Sequence, residues 1–331
     1  MLPGAPSAVK SPGYVSLEMG DFPVIVGPTA GGKSSVAMAL ASRLADRGVS
    51  AEIISADAFQ VYRGMDIGTA KPAPADRAAV PHHAIDIRDP TEAFTVDEWL
   101  AIAEEQIQRV RSAGGIPIVV GGTHFYVKAL LEGLFEGPTP DPELRASLQA
   151  IDASSLRAEL EQIDPKAAER IHPNDRRRTI RAIEVHRQTG IPISEHQKQW
   201  DAARRDDAIL VALQWPVEQI NSRINSRVRD MITAGLVEEA HGLWDAGGFG
   251  PQSREAIGYR QFIAHFEGQS TQEEAVEAIK IETRRFAKSQ RTWIRRLLAG
   301  PPGAPSPISV DASALTPEKI AQAIEIQLFN K

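Results

Sequence analysis

Four short stretches of the chain are apolar enough throughout to be buried strands: Phe22 to Val26, Ala51 to Ser55, Ile116 to Val120 and Ala208 to Leu213. His82 to Ile87 is a fifth strand candidate, and a last short strand and helix follow the Pro-rich stretch Gly300 to Pro307. Helical patterns lie between them. Ser35 to Ala45 is alanine-rich, a helix is expected from about Val96 to Ala113, and another from His124 to Leu131. From Val217 to Trp244, apolar Ile220, Ile224, Val228, Met231, Ile232, Leu236 and Val237 recur at three- and four-residue steps, which predicts an amphipathic helix or helix pair. Strands alternating with helices predict an α/β fold with a parallel sheet flanked by helices.

The pattern changes between Pro138 and Arg205. Strand signals vanish there, and short helical patterns are interrupted by Pro140, Pro142, Pro165 and Pro173. We therefore expect an all-helical subdomain at 138–205, inserted between a first core segment at 21–137 and a second at 206–331. Residues 1–20 are rich in Pro, Gly and Ser, lack the basic and apolar regions of a secretory signal, and read as a disordered extension.

Composition narrows the function classes only a little. The apolar fraction of 42% and charged fraction of 24% are those of an ordinary soluble globular protein, and no apolar run reaches the roughly 18 residues of a membrane span. A monomer working in the cytoplasm, away from membranes, is expected. The absence of cysteine excludes disulfides, thiolate catalysis and cysteine–zinc sites. A net charge of -6 argues against a surface coated in positive charge, but local basic patches decide nucleic-acid binding.

The most informative stretch is Gly27-Pro28-Thr29-Ala30-Gly31-Gly32-Lys33-Ser34. It follows a strand and opens a helix, the context a phosphate-binding P-loop requires. The glycines let the backbone wrap a diphosphate with inward-pointing N–H groups, and the helix adds its positive N-terminal end. Lys33 would neutralise phosphate charge. Ser34 carries the hydroxyl this motif uses to hold Mg²⁺. The motif gives the fold class its finer form, a P-loop NTPase-like parallel sheet with the helical subdomain inserted.

Asp57 falls just past the second strand, so it should face the same crevice as Lys33, although an Asx turn or helix N-cap would also account for it. The loop Arg63 to Pro72 is long and irregular, and reads as functional rather than structural. The strand at Ile116 to Val120 ends in Gly121-Gly122-Thr123, where a P-loop ATPase usually places an Asp. The glycine pair suggests close backbone approach to a ligand. Thr123 by capping preference alone would be a helix N-cap. His82 and His83 would point to opposite faces of a strand and make a poor joint metal site, so both read as structural.

Two segments are basic. Arg170 to Arg187 has six arginines against two acids, and Lys280 to Arg296 has seven basic residues against one acid, with Phe286 and Trp293 interleaved. Basic side chains mixed with aromatics suit phosphate tracking and base stacking, whereas a charge run alone is usually a solvated face. Arg223 and Arg227 lie one helical turn apart and could clamp a diphosphate, although exposed helix arginines are commoner. A diphosphate cradle with no ATPase-type aspartate fits a transferase in which diphosphate leaves. Asp57 would then take a proton from an incoming nucleophile that composition cannot name.

Taken in order, the P-loop, the stretch Asp57 to Pro72, Val120-Gly121-Gly122-Thr123, Asn174-Asp175 with its arginines, and Gly258-Tyr259-Arg260-Gln261 resemble the bacterial tRNA dimethylallyltransferase family over about residues 21 to 298. The resemblance implies transfer of a dimethylallyl group from dimethylallyl diphosphate to the exocyclic amine of the adenosine immediately 3′ of the anticodon, with Mg²⁺ as cofactor and the tRNA anticodon stem-loop as partner. It implies that the whole segment from Gly27 to Ser34, with Arg227, holds the donor's diphosphate. Asp57 becomes the general base and Thr123 a nearby hydrogen-bonding partner.

The resemblance further implies contacts to tRNA from Asp57, Ala58, Phe59 and Gln60, from Thr123 and Arg145, and from Arg177, Arg178, Thr179, Ile180 and Arg181. It adds Glu255, Ala256, Ile257, Gly258, Tyr259 and Arg260, then Thr283, Arg284, Arg285, Lys288 and Arg291. Tyr126 matches a family position as well. An adenosine flipped out of its loop could enter a crevice that excludes water. Ala58 stands where the family usually has serine, so that position has no side-chain hydroxyl to offer tRNA. Gly31 stands where a serine is common. Without cysteine the chain lacks the zinc-finger extension of eukaryotic relatives.

Three other readings share some of these features: an adenylate isopentenyltransferase acting on a free nucleotide, a P-loop small-molecule kinase, and a non-catalytic nucleic-acid-binding module. The first two leave the basic segments without a purpose, and the third leaves Lys33, Ser34 and Asp57 unexplained.

Overall fold

A computed structural model describes residues 21–134, 137–197, 204–300 and 305–329; the expectation for residues 1–20 falls outside them. Six parallel strands form one sheet in the order β3-β2-β4-β1-β5-β6. They are β1 (Phe22–Val26), β2 (Ala51–Ala56), β3 (His82–His83), β4 (Ile116–Gly121), β5 (Ala208–Gln214) and β6 (Ile308–Asp311). Every residue of β1 and β4 is buried, which is why both read as unbroken apolar runs. Val26 of β1 and Ala56 of β2 both pair with Gly121 of β4, so three strands end at one level. The loops that follow them share one edge of the sheet, where ligands of open α/β sheets bind.

β3 is shorter than the strand expected at 82–87. Ala84 and Asp86 adopt left-handed conformations, with φ of 58° and 57°, and end it. His83 Nε2 bonds Glu52 at 2.6 Å and His82 Nδ1 bonds the Val80 carbonyl at 2.7 Å.

Helices cover both faces. α1 (Lys33–Asp46) and α14 (Pro317–Phe329) pack together over one face, around a core that includes Leu40, Leu44, Val211 and Ile324. α14 is tied down by Glu325, which is 3% exposed and ion-paired to Arg43 at 2.5 Å and to Arg47. The short α2 (Pro74–Ala79) precedes β3. On the other face lie α3 (Val96–Ser112), α4 (His124–Glu132), α10 (Val217–Thr233), α11 (Leu236–Asp245), α12 (Tyr259–Phe266) and α13 (Gln272–Ala299), over a core centred on Trp99, Tyr62 and Tyr259. The expected helix at 217–244 is thus a pair, divided at Gly235, whose φ is 100°. α13 runs 28 residues from a capping box in which Thr271 and Glu274 satisfy each other's backbone N–H.

Residues 138–197 contain only helices: α5 (Pro142–Ala150), α6 (Ala153–Ile163), α7 (Pro165–Arg170), α8 (Arg176–Thr189) and α9 (Ile193–His196). They enclose a separate core of Leu148, Leu156, Leu160, Ile180, Ile183 and neighbours. Asp141, Asp152, Asp164 and Asp175 cap four of these helices through their side chains, which explains why prolines and aspartates punctuate the segment.

Candidate active site

The P-loop leaves β1 and turns into α1 through two left-handed residues, Ala30 at φ 59° and Gly32 at φ 81°. A Cβ on Gly31 would come 2.7 Å from the Pro28 carbonyl, so this loop conformation requires the glycine that replaces the common serine. Three side chains from distant elements fasten the loop. Trp215 Nε1 donates to Gly31 O at 3.0 Å, Arg223 Nε donates to Ala30 O at 2.8 Å, and Gln290 Oε1 accepts from Thr29 N at 2.6 Å. Arg223 also stacks its guanidinium over Trp215, 4.6 Å from the ring centroid. Arg223 is exposed and lines the crevice beside the loop that it fastens.

Lys33 Nζ donates to the carbonyls of Gly27 and Pro28 at 3.1 and 3.0 Å. Burial and the nearby Arg227 charge lower its pKa to about 8, against the opposing pull of Asp57. Arg227 is shifted down as well, by burial first and by Arg223, with Asp57 acting the other way. Two cations held together in a partly dry crevice, with one carboxylate beside them, form an electrostatic vacancy for an anion. Ser34 is exposed at the start of α1 and lines the same crevice of about 610 Å³.

Asp57 stands on the opposite wall. Its Oδ1 accepts from Phe59 N at 2.9 Å and from Gln60 N at 3.4 Å, so the Asx turn considered from sequence does form. The turn uses one carboxylate oxygen only. Oδ2 makes no hydrogen bond among the described residues, and Asp57 lines the crevice with Lys33 and Arg227. Thr123 occupies the N-cap position of α4, but its side chain does not cap the helix. Thr123 Oγ1 accepts from Ala58 N at 3.0 Å and its own N–H donates to Ala56 O at 3.1 Å, which pins the end of β2 to the end of β4 beside Asp57. A Cβ on Gly121 would overlap the Ala56 backbone, so that glycine serves close strand packing rather than a ligand.

The loop Arg63 to Pro72 is built into the fold more than its sequence suggests. Thr69 to Pro72 line the crevice. Lys71, however, is buried with its Nζ on Asp66 at 2.6 Å, Asp86 at 2.5 Å and the Tyr62 carbonyl at 2.5 Å. Burial alone would raise Asp86, but hydrogen bonds from Lys71 and Arg77 outweigh it and hold its pKa below the usual value. Gln60 reaches back to donate to the carbonyls of Thr69 and Ala70 at 3.2 and 3.3 Å while its Oε1 accepts from Ser55. Glu239 accepts from three successive amides, Asp66, Ile67 and Gly68, and from Tyr259 Oη at 2.5 Å.

That contact bears on the residues expected to meet RNA around Tyr259. Tyr259 is 0% and Ala256 2% exposed, so their side chains belong to the core. Glu255 and Arg260 are exposed and pair with each other at 3.2 Å, and Ile257 and Gly258 lie between. In the insertion, Thr179 and Ile180 are buried, while Arg177 and Arg178 are exposed. Arg145 and Arg181 both bind the fully buried Glu184, at 2.6 and 2.8 Å. On α13, Arg285 and Lys288 are exposed, Thr283 bonds the helix carbonyl of Ile279 and Arg284 bonds Asn225 at 2.6 Å. Arg291 keeps one buried Nη1 without a hydrogen-bond partner.

His124 stacks on Trp293 with centroids 5.7 Å apart, and burial with the Lys33 charge lowers its pKa to about 4, so the ring is neutral. Tyr126 stacks on Trp99 at 4.7 Å, and burial shifts its pKa upward. Gln290, Trp215 and Glu239 were not anticipated from sequence. Only Gln290 offered a signal, an amide among the cations of α13.

Similarity to known proteins extends over most of the chain. Residues 60–297 match the family model for IPP transferase. The chain is a member of the IPP transferase family. It is 43% identical over 278 residues to tRNA dimethylallyltransferase 1 of Trichlorobacter lovleyi, covering 82% of this chain and 90% of that protein. It is 42% identical to the tRNA dimethylallyltransferase of Geobacillus kaustophilus, covering 82% and 86%. Among solved structures, the tRNA isopentenylpyrophosphate transferase of Bacillus halodurans superimposes with a TM-score of 0.67 at 36% identity, over 94% of this chain and 97% of that one. A eukaryotic dimethylallyltransferase acting on tRNA superimposes with a TM-score of 0.78 at 26% identity, over 94% and 79%.

Proposed function

We propose that the chain transfers a dimethylallyl group from dimethylallyl diphosphate to the N6 amine of the adenosine immediately 3′ of the anticodon in tRNA, releasing diphosphate. One observation carries the reading: Lys33 and Arg227 share a crevice with Asp57, whose second carboxylate oxygen has no other duty. In the reaction the C–O bond of the allylic diphosphate breaks as the C–N bond to the adenine forms. The P-loop amides, Lys33 and Arg227 take up the charge that builds on the departing diphosphate. Asp57 accepts the proton that the amine loses. Thr123 fixes the Ala58 amide, and with it the turn that presents Asp57.

Among the described residues no cluster of three or more His, Asp or Glu side chains could cage a metal. The Ser34 hydroxyl, which lines the same crevice as Asp57, suits Mg²⁺, which takes few protein ligands and shares its coordination with substrate phosphates. When bound it would withdraw charge from the diphosphate oxygens. Exposed Arg177, Arg178, Arg285 and Lys288 supply phosphate contacts to the anticodon stem-loop. No helix among the described residues is long and apolar enough to cross a membrane, and the reading is of a monomer in the cytoplasm.

The test is a single-turnover assay with Mg²⁺ and labelled dimethylallyl diphosphate, offering an unmodified anticodon stem-loop and free AMP in parallel. Label on the stem-loop alone is expected. Label on AMP alone would turn the reading to a free-nucleotide enzyme, and label on neither would overturn prenyl transfer.

A further inference from the structure

Gln290 is 1% exposed, although it sits in the most basic stretch of the chain. Its carboxamide spans two loops that sequence separates widely. Oε1 accepts from Thr29 N in the P-loop at 2.6 Å, and Nε2 donates to Gly122 O beyond β4 at 3.1 Å. A buried amide whose acceptor and donor are both satisfied, each by backbone, has a single orientation available. The fit is tight on the β4 side, since a Cβ on Gly122 would overlap Gln290 Nε2 and lie 3.6 Å from Lys33 Nζ. Gly122 is therefore glycine because of Gln290. Gly122 is followed by Thr123, whose Oγ1 holds the Ala58 amide next to Asp57.

We propose that Gln290 is a positioning residue that sets the distance between the diphosphate cradle and the carboxylate base. The path is continuous: Thr29 amide, Gln290, Gly122 carbonyl, Thr123 hydroxyl, Ala58 amide, Asp57. Each link joins a group on one wall of the crevice to the next, so displacing Gln290 changes the separation of the walls while leaving Lys33, Arg227 and Asp57 all present. α13 also carries the exposed Arg285 and Lys288, five and two residues before Gln290, so the helix that supplies phosphate contacts also fixes the crevice. Reacting groups must be held to within a fraction of an ångström, and a shift of about 1 Å can cost about a hundredfold in rate.

The inference rests on the prenyl-transfer reading, and the experiment separates the two. Native protein, Gln290→Ala and Gln290→Met are compared by single-turnover rate at saturating dimethylallyl diphosphate and stem-loop. The affinity for inorganic pyrophosphate is measured by calorimetry, and the affinity for the stem-loop by filter binding. Gln290→Met fills much of the same volume without the amide, and covers the case in which truncation unfolds the protein. The expected result is a fall in saturated rate of about ten- to a hundredfold in both variants. Both affinities should stay within about threefold of native, which marks positioning rather than loss of binding.

A second arm uses Gly122→Ala. If its added methyl acts by pushing Gln290 aside, Gly122→Ala costs heavily in the native background and little more in Gln290→Ala. Native-like saturated rates in both Gln290 variants would overturn the inference. So would a rate loss that appears wholly as weakened pyrophosphate binding, or strict additivity with Gly122→Ala. If the native chain transfers no label to any acceptor, the reading of its function fails instead. If it does and Gln290 proves silent, only the positioning role falls.

Discussion

Gly68 lies flat against the ring of Tyr259, so close that a Cβ at Gly68 would stand 2.5 Å from Tyr259 Cε2. The same phenol donates to Glu239, whose carboxylate collects the amides of Asp66, Ile67 and Gly68. The segment Gly258-Tyr259-Arg260-Gln261 thus acts on the crevice indirectly, by clamping the loop whose far end, Thr69 to Pro72, forms one wall. Gly68→Ala should destabilise the protein by about 1–3 kcal/mol through overpacking against a fully buried ring. Tyr259→Phe should cost about 1–2 kcal/mol by taking one donor from Glu239. Thermal melts check both, and an unchanged melting temperature for Gly68→Ala would show that the loop yields.

The Lys33 ammonium should make diphosphate binding depend on pH in a definite direction. Burial and Arg227 lower its pKa to about 8, so the unliganded site loses this charge as pH rises through that value. A bound diphosphate favours the charged form, and binding therefore takes up a proton near pH 8. Pyrophosphate affinity should fall as pH rises above about 8, by up to about tenfold per unit. Lys33→Arg, which keeps its charge, should remove that inflection. Calorimetry in buffers of different ionisation enthalpy reads the proton uptake directly.

The parts of this molecule legible in its sequence are those that short stretches of chain decide for themselves. Phe22 to Val26 and Ile116 to Val120 declare buried strands by composition, and Gly27 to Ser34 is one continuous turn, so cradle and strand ends could be placed together. The bonds that hold the site in shape run between residues far apart in the chain. Glu239 meets Gly68 across 171 positions and Gln290 meets Thr29 across 261, and neither carries a local signature. Lys71 shows the same limit from the other side. In sequence it is a lysine in a polar loop, yet only the fold brings Tyr62, Asp66 and Asp86 around it and engages its Nζ with all three.

The arginines expected to touch tRNA should separate into two groups by experiment. Arg177 and Arg178 are exposed, and among the described residues Arg178 pairs only with Asp175, at 3.4 Å. Arg177→Ala and Arg178→Ala should each weaken stem-loop binding and reduce the slope of log affinity against log salt by about one, with no change in melting temperature. Arg145 and Arg181 neutralise Glu184, which is 0% exposed. Replacing Arg181 by Ala should destabilise the helical segment by about 1–3 kcal/mol whatever it does to RNA. A pair of melts alongside a salt titration distinguishes the groups, and equal melting temperatures for Arg178→Ala and Arg181→Ala would erase the distinction.

Asp57 has two duties that one substitution can separate. Its Oδ1 holds the turn through the amides of Phe59 and Gln60, and a carbonyl oxygen can do the same. Asp57→Asn should therefore keep the turn, the melting temperature and the affinities for pyrophosphate and stem-loop. It cannot accept the amine proton, and the transfer rate should drop by about a hundred- to ten-thousandfold, the usual worth of a placed general base. Asp57→Ala loses the turn as well, so it should lose stability in addition to rate. Single-turnover rates with saturating donor and stem-loop, set beside melts of both variants, test the assignment. A brisk Asp57→Asn enzyme would mean that the proton leaves by another route and that the carboxylate only shapes the loop.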